Sequence, residues 1–272
     1  MRPKLIDEPY PLSTADRERF KADGYMRLPG VLDAATLAHY ADEITRVTLA
    51  HNKYKDVPLE QRSTYGKAFI QVTNLWRLSE RARELSFSRR LARLATELLG
   101  TGGVRMWHDQ ALYKEPGGGP TPWHVDQQYW PMASDRCVTA WIPLQPVPLE
   151  LGPLQFGRGS HRLDVARDLA ISEQSDAVIR EAIRAQGIEV VCEPYALGDV
   201  SFHLGWTLHA ALPNAADRPR RVHTIIYMDV AMRLAEPASE NQRIDWRAFT
   251  PSTRVGEVMD DELNPILYAA AE

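Results

Sequence analysis

Residues 104–114 read VRMWHDQALYK, and they begin the part of the sequence that decides the fold. The segment is short and rich in aromatic and branched side chains, which is typical of a β-strand. Similar segments follow it with Gly and Pro between them: CVTAWIPL (137–144), GPLQF (152–156), IEVVCEPY (188–195), GDVSFH (198–203) and RVHTIIYMDV (221–230). Many short strands separated by turns favour an antiparallel sandwich or barrel over a parallel sheet of alternating strands and helices.

The first hundred residues have a different, mainly helical pattern. Ser13 is a suitable N-cap for a short helix that stops at Gly24, and a second helical pattern begins at Asp33. Residues 79–100, SERARELSFSRRLARLATELLG, predict two further helical pieces. We therefore expect a helical N-terminal layer over residues 1–100 that packs against a β-core.

The order of these patterns predicts one domain over residues 1–272. Its β-core spans residues 101–230 and is interrupted by a helical insert at about residues 164–185. Residues 231–272 form a C-terminal extension, which we expect to be irregular and to fold back near a site opening. The sequence contains no internal repeat or low-complexity linker that would divide it further.

Composition argues against several classes of partner. The 272 residues include 32 Lys and Arg against 36 Asp and Glu, and this net charge of -4 gives no reason to expect nucleic acid or an anionic membrane. Residues 1–12, MRPKLIDEPYPL, have no apolar run suited to a signal peptide. Cys137 and Cys192 lack C-x-x-C spacing, so we expect free thiols in a reducing cytoplasm.

The candidate site begins with residues 121–130, TPWHVDQQYW. Within a strand, His124 and Asp126 would project from the same face because side chains alternate. An imidazole and a carboxylate, with a second imidazole from elsewhere, form the facial triad of non-haem Fe(II) oxygenases, which leaves positions open for substrates and O2. A lone His-x-Asp is a weak signal, so the interpretation depends on the second histidine.

That second histidine has two candidates in residues 198–221, GDVSFHLGWTLHAALPNAADRPRR. They are His203 and His209, and Arg220 follows His209 after eleven residues. An arginine one strand beyond the last ligand can bind the distal carboxylate of a dicarboxylate such as 2-oxoglutarate through its fork of donors. This spacing favours His209 as the ligand and leaves His203 as a hydrogen-bond donor to the site or as a structural residue.

Two other arginines compete with Arg220 for this role. Arg218 and Arg221 lie within two residues of it. Strand alternation puts Arg221 on the opposite face from Arg220, so one of the two would be solvated.

In combination, these motifs resemble the phytanoyl-CoA dioxygenase family of Fe(II)/2-oxoglutarate-dependent oxygenases. The resemblance covers most of the chain, and its motifs arrive in the family's order: GYMRLPGVLD (24–33), TPWHVDQQYW (121–130), VTAWIPL (138–144), GPLQFGRGSH (152–161), GDVSFHLGWTLHAALPN (198–214) and RPRR (218–221). It implies a double-stranded β-helix, a cupin-like jelly roll, in which His124, Asp126 and His209 hold iron. It also implies that Arg220 binds the distal carboxylate of 2-oxoglutarate.

The resemblance assigns further side chains to the cosubstrate. Trp141 matches a tryptophan that lines the 2-oxoglutarate pocket, and Lys114 lies where relatives often have a lysine near the site. Thr139 shares a strand face with Trp141, and we expect its hydroxyl to donate a hydrogen bond to the cosubstrate. Related halogenases lack the carboxylate ligand, so the presence of Asp126 favours hydroxylation or another oxidation, with release of succinate and CO2.

Substrate contacts are expected beside the ligand pair and on neighbouring segments. The candidates are Gln127, Gln128, Tyr129, Trp130, Asn74, Trp76, Trp107 and Gln110. Their amides and aromatic rings suit a medium-sized, partly polar organic molecule. An acyl-CoA is less favoured, because no cluster of Lys and Arg stands out as a phosphate clamp.

Three other histidines are assigned structural roles. His161, in GRGSH, is expected to brace a turn. His108 and His223 flank predicted strands, and we expect both to be ordinary half-buried residues.

Two alternative functions also fit a jelly-roll pocket. A non-catalytic binding or sensor protein would keep the metal pocket without turnover, and a cupin-like metalloenzyme would work without 2-oxoglutarate. Neither explains Arg220, so the sequence favours an oxygenase that hydroxylates an unactivated C–H bond of a small molecule.

Overall fold

Two antiparallel sheets enclose a cavity in a computed structural model of the protein, which describes residues 2–270. The helices are α1 (Thr14–Asp23), α2 (Ala34–Ala50), α3 (Thr64–Ala68), α4 (Glu80–Ser86), α5 (Arg89–Leu99), α6 (Glu173–Ala185) and α7 (Glu240–Phe249). The strands are β1 (Tyr25–Leu28), β2 (Ile70–Thr73), β3 (Gly103–Tyr113), β4 (Thr121–His124), β5 (Cys137–Pro143), β6 (Leu154–Gly157), β7 (Val190–Cys192), β8 (Val200–Leu204), β9 (His209–Ala211), β10 (Val222–Asp229) and β11 (Ile266–Ala269). The predicted domain ends at residues 1 and 272 lie outside the described residues.

The larger sheet has seven strands in the order β1-β8-β5-β10-β3-β11, with β2 also paired to β3. The smaller sheet has four strands in the order β4-β9-β6-β7. All of these strand pairs are antiparallel. Residues of both sheets line the cavity between them, which is the arrangement of a jelly roll. The prediction of an antiparallel β-core is therefore confirmed.

The strand β5 separates the two sides of the structure. All seven of its residues are buried. Val138, Ala140 and Ile142 belong to the core cluster that the larger sheet forms with the helices. Thr139 and Trp141 point the other way and line the cavity. Because successive side chains alternate, one strand supplies both the apolar core and the wall of the cavity.

The helices of the first hundred residues begin and end at the expected signals. The Ser13 hydroxyl accepts a hydrogen bond from the Asp16 amide in a capping box, and Gly24, with φ of 78°, is the C-cap that follows α1. The Asp33 carboxylate caps α2 in the same way. The same part of the chain also gives β1 and β2 to the larger sheet, so the sheet extends beyond residues 101–230. A distinct helical N-terminal layer stays a prediction.

Two segments differ from the sequence expectations. The insert is α-helical only from Glu173, because Ser172 and Ser175 form a capping box that starts α6 there. The C-terminal extension is not irregular, since it contains α7 and the strand β11, which pairs with β3. None of the helices within residues 2–270 is long and apolar enough to cross a membrane.

A buried polar cluster lies on the helix-facing side of the larger sheet. The Ser86 hydroxyl on α4 is 2.6 Å from Asp109 Oδ2 and 2.8 Å from His223 Nε2. Burial raises the pKa of Asp109 to about 7 and lowers that of His223 to about 3, so the imidazole is neutral at pH 7. The expectation that His223 is half-buried is wrong, because β10 directs it into this dry interior.

The turn before β8 depends on a glycine. Gly198 has φ of 93°, and its carbonyl accepts a hydrogen bond from the Leu32 amide. A Cβ built at Gly198 would lie 1.9 Å from the Leu32 carbonyl oxygen. The next residue, Asp199, accepts a hydrogen bond from the Gly30 amide at 3.1 Å. The Gly-Asp pair therefore holds the start of β8 against the turn that follows β1.

We predict that Gly198→Ala destabilises the fold by more than about 3 kcal/mol, since the new methyl group collides with a backbone oxygen in addition to straining the left-handed backbone. Gly187→Ala is the matched control, because Gly187 has φ of 63° and nothing within 4 Å of the added Cβ. Gly187→Ala should lower the free energy of unfolding by only about 1 to 2 kcal/mol. Urea unfolding followed by circular dichroism measures both, and equal losses would contradict the steric argument.

Candidate active site

Three side chains, two on neighbouring strands and one in the turn after β4, meet at one place in the cavity. Asp126 therefore does not lie within a strand, contrary to the expectation from the sequence. His124 ends β4, Asp126 follows two residues later, and His209 begins β9 opposite His124. One ligand atom from each residue lies within 4.8 Å of the others. Nε2 of each histidine is 3.5 Å from Oδ1 of Asp126. Ligand atoms that share one metal ion at about 2.1 Å lie about 3 Å apart, so this cluster fits a single ion with little adjustment.

The backbone orients both imidazoles toward this cluster. Nδ1 of His124 is 2.8 Å from the Pro122 carbonyl oxygen, and Nδ1 of His209 is 3.0 Å from that of Thr207. A carbonyl oxygen can only accept, so Nδ1 carries the proton and Nε2 presents its lone pair to the centre. Burial, together with the adjacent His124, lowers the pKa of His209 well below its ordinary value. The ring is therefore neutral, as a metal ligand must be.

The carboxylate of Asp126 divides its two oxygens between different partners. Oδ2 accepts hydrogen bonds from the Thr139 hydroxyl at 3.1 Å and from His203 Nε2 at 3.2 Å. Oδ1 is left facing the two other members of the cluster. Burial opposes ionisation, but His209 and the other histidines around it hold the pKa of Asp126 well below its usual range. Asp126 is thus an ionised group that offers one oxygen.

These contacts change one expected role and agree with another. Thr139 lines the cavity, but its hydroxyl donates to Asp126, whereas we expect from the sequence a bond to the cosubstrate. His203 is buried and donates to the same carboxylate, which is one of the two roles that the sequence leaves open for it. The group of side chains that could hold a metal contains His209 and leaves His203 outside.

A buried guanidinium lines the same cavity. Arg220 is only 1% exposed, its Nη1 donates to the Gly152 carbonyl, and its Nε has no partner. No carboxylate within residues 2–270 forms an ion pair with it. Burial lowers the pKa of Arg220 to about 10, which still leaves it charged at pH 7. Because a buried cation without a counter-ion is costly, this group indicates an anionic ligand.

The neighbouring cations lie outside the cavity lining. Arg218 is exposed, and Arg221 bonds to a glutamine on the opposite face from Arg220, as alternation predicts. Lys114 is fully buried behind the wall, with Nζ 3.5 Å from Thr121 Oγ1. Burial and the charge of Arg220 lower the pKa of Lys114 to about 6. Arg220 is therefore the cation of this group that faces the cavity, with Trp141 packed 5.4 Å from its Cζ.

The cavity has a volume of about 530 Å³. Three predicted substrate contacts, Tyr129, Trp130 and Gln110, line it. His108 also lines it and is buried, contrary to the expectation of an ordinary half-buried residue, because it stacks on the Phe249 ring with centroids 4.2 Å apart. Further lining residues that the sequence analysis does not predict are Tyr65, Phe69, Gln71, Asn241, Ile244, Asp245 and Phe249.

Five predicted substrate contacts lie outside the lining. They are Gln127, Gln128, Asn74, Trp76 and Trp107. The Gln127 amide donates to a backbone carbonyl in the loop before β5, which turns it away from the cavity. The backbone amides of Asn74 and Trp76 donate to Asp109 and hold this segment against β3. Trp107 packs in an apolar cluster beneath α7.

Helix α7 supplies four of the lining residues that the sequence patterns do not predict. Asn241, Asp245 and Phe249 are four residues apart and line the cavity together. A spacing of four places side chains on one face of a helix, so this spacing is the signal that could have identified them. The charged residues that lie between these three positions make the spacing difficult to recognise in the sequence.

The comparisons with known proteins decide the family. Residues 20–222 match the family described as phytanoyl-CoA dioxygenase (PhyH). The chain belongs to the phytanoyl-CoA dioxygenase family. The resemblance drawn from the motifs is thereby confirmed, and the match covers the segments that carry all three members of the cluster and Arg220.

Proteins similar to this chain, by sequence or by structure, are named as enzymes. A probable alpha-ketoglutarate-dependent hypophosphite dioxygenase of Stutzerimonas stutzeri is 25% identical over an alignment of 227 residues that covers 78% of each chain. Dioxygenase lolE1 of Epichloe uncinata is 28% identical over 219 residues, 78% of this chain and 81% of the relative. The epimerase SnoN from nogalamycin biosynthesis, solved with Fe3+, alpha ketoglutarate and nogalamycin RO, has a TM-score of 0.75 and 28% identity over 93% of this chain and 97% of its own. This chain is accordingly an enzyme of the oxygenase class.

We predict that the protein binds one divalent metal ion at the cluster. His209→Ala should lower the affinity for Fe(II) by more than about 100-fold, because loss of even a supporting contact of a metal ligand costs about 10- to 100-fold. Anaerobic calorimetry of the metal-free protein measures the affinity. His161→Ala is the control, since His161 lies in the turn Ser160–Arg162 outside the cluster. A lower affinity for Fe(II) in His161→Ala but not in His209→Ala would contradict the assignment.

Proposed function

We propose that the protein is an Fe(II)- and 2-oxoglutarate-dependent dioxygenase that hydroxylates an unactivated C–H bond of a small, partly polar organic molecule and releases succinate and CO2. His124, Asp126 and His209 hold the iron in this proposal, which is supported by their inward lone pairs and shared centre. Iron held by three side chains, with positions left open, supplies oxidation of 2-oxoglutarate and substrate by O2.

The observation that carries this proposal is the unpaired guanidinium of Arg220. A sensor protein or a cupin-like enzyme without a diacid cosubstrate has no use for a buried cation in the same cavity as the metal cluster. In 2-oxoglutarate, the 2-oxo acid end is suited to the metal, and the distal carboxylate is suited to the fork of donors on Arg220. The ring of Trp141 packs against that fork and limits its movement.

The surrounding residues exclude water and fix the orientation of the ligands. His124 is 6% exposed, His209 4% and Arg220 1%, so the charges of the reaction are kept in a nearly dry site. Thr139 and His203 hold Asp126 so that one oxygen faces the metal position. Lys114 supports the wall beside Thr121 and does not line the cavity, so we assign it no direct contact with the cosubstrate.

The cavity favours an organic substrate over two alternatives. Its volume of about 530 Å³ is within the range of drug-sized ligands and much larger than an inorganic anion needs. Its lining contains a single arginine and no lysine, so it has no clamp for the phosphates of an acyl-CoA. The carboxylate of Asp126 occupies the position that a halide would need, which favours hydroxylation. A cytoplasmic location and the absence of a nucleic-acid partner stay predictions from composition.

Arg220→Ala should raise the 2-oxoglutarate concentration needed for half-saturation by about 10- to 100-fold, because a charge-assisted hydrogen bond contributes about 1.5 to 3 kcal/mol. The readout is the weak visible charge-transfer band that forms when 2-oxoglutarate is added anaerobically to the Fe(II)-loaded protein. Arg221→Ala removes the same charge from the opposite strand face and should leave the titration unchanged. Absence of the band in wild type, or equal shifts in both variants, would argue against the proposal.

Asp126→Ala should abolish succinate formation, because the metal loses its single anionic protein ligand. The measurement is succinate released per enzyme at saturating Fe(II) and 2-oxoglutarate. Asp217→Ala, which removes an exposed carboxylate from the loop before Arg218, should keep wild-type turnover. Wild-type turnover in Asp126→Ala would remove Asp126 from the ligand set.

A further inference from the structure

Asp245 is a carboxylate in the cavity for which the proposed reaction has no use. It lies on α7 and lines the same cavity as His124 and Arg220. Burial raises the pKa of Asp245 to about 7, and no hydrogen bond or opposite charge within residues 2–270 offsets this effect. The protein therefore leaves this group without a partner.

The two arginines on α7 do not neutralise Asp245. Arg243 and Arg247 each lie two residues away, so they point to other faces of the helix. Both lie near Glu240 on the exposed side, at 3.7 Å and 3.5 Å. Phe249, four residues beyond Asp245, shares its face and lines the cavity. The carboxylate is thus directed toward the substrate space.

The wall around this space is aromatic. Its rings are Tyr65, Phe69, Tyr129, Trp130 and Phe249. The faces of such rings carry partial negative charge and attract cations. His108, stacked on Phe249, adds no positive charge, because burial lowers its pKa to about 4. The substrate side of the cavity is consequently electron-rich.

Of the charged side chains that line the cavity, one has no role with the metal or the cosubstrate. Besides histidines, the lining contains three side chains with a formal charge: Asp126, Arg220 and Asp245. The metal uses the first and the cosubstrate uses the second. The third is a carboxylate in partly apolar surroundings, which is unfavourable unless a cation or a strong donor pairs with it.

We propose that Asp245 binds a protonated amino group of the organic substrate, so that the enzyme oxidises amines whose apolar part packs on the aromatic wall. This inference rests on the proposed function, because it places the substrate in the cavity that contains the metal cluster and Arg220. Anionic substrates are disfavoured by the same carboxylate. A neutral hydroxyl group is the competing donor, and the test separates it from an amine.

The test uses ligands that share a ring and differ in charge. One set is tryptamine, indole-3-ethanol and indole-3-propionate; the other is 2-phenylethylamine, 2-phenylethanol and 3-phenylpropionate. Each is titrated by calorimetry into anaerobic enzyme loaded with Fe(II) and 2-oxoglutarate. The visible band of the chelate is recorded on the same samples.

Wild type should bind each amine at least about 10-fold more tightly than its alcohol and should bind the carboxylates weakest, since only the amine offers the carboxylate an opposite charge. Asp245→Asn should remove this preference and leave the affinity for the alcohols within about two-fold. Glu240→Gln is the matched control, because it removes the same charge from the exposed side of the same helix and should keep the preference.

Three results would overturn the inference while the chelate band forms normally. They are an amine preference that persists in Asp245→Asn, tighter binding of alcohols or carboxylates by wild type, and failure of both amines to bind. In these cases the proposed function stands and only the substrate class is wrong. Absence of the chelate band in wild type would instead count against the proposed function, whatever the calorimetry gives.

Discussion

The alternation of side chains across the larger sheet is the constraint on which the rest of the structure depends. On β5, Val138, Ala140 and Ile142 pack against the helices, while Thr139 and Trp141 face the cavity. A shift of one residue in strand register would exchange the two sets, placing polar groups in the core and apolar groups around the metal cluster. The apolar packing that stabilises the fold therefore also fixes the position of each cavity side chain.

Ionisable groups on the two sides of this sheet differ in whether the protein supplies them with a partner. On the helix side, Ser86 bridges Asp109 and His223, so these buried groups are joined to each other and serve the fold. On the cavity side, Arg220 and Asp245 are held by the protein without an opposite charge. Burial alone does not mark a functional residue. A charge that lines a cavity and that the protein leaves unpaired is the more informative observation.

The sequence predicts those features that depend on short-range periodicity. Strand alternation separates Arg220 from Arg221, and the caps at Ser13 and Asp33 locate two helices. Prediction from the sequence fails where the role of a residue depends on contacts between distant segments. The Thr139 hydroxyl is used by Asp126, and no local pattern indicates this bond. The face of α7 that reaches the cavity is visible as a four-residue spacing, but its position over the site follows only from tertiary packing.

The site is assembled from parts of the chain that can change independently. The smaller sheet and the turn after β4 supply the metal cluster, and Arg220 lies just before β10 of the larger sheet. In contrast, α7, a helix of 10 residues, supplies Asp245 and Phe249 to the substrate space. The metal cluster takes none of its side chains from that helix. Substitutions on this one short helix can therefore change the part of substrate selection that depends on Asp245 and Phe249 without altering a metal ligand, and an engineer seeking new specificity would randomise this helix first.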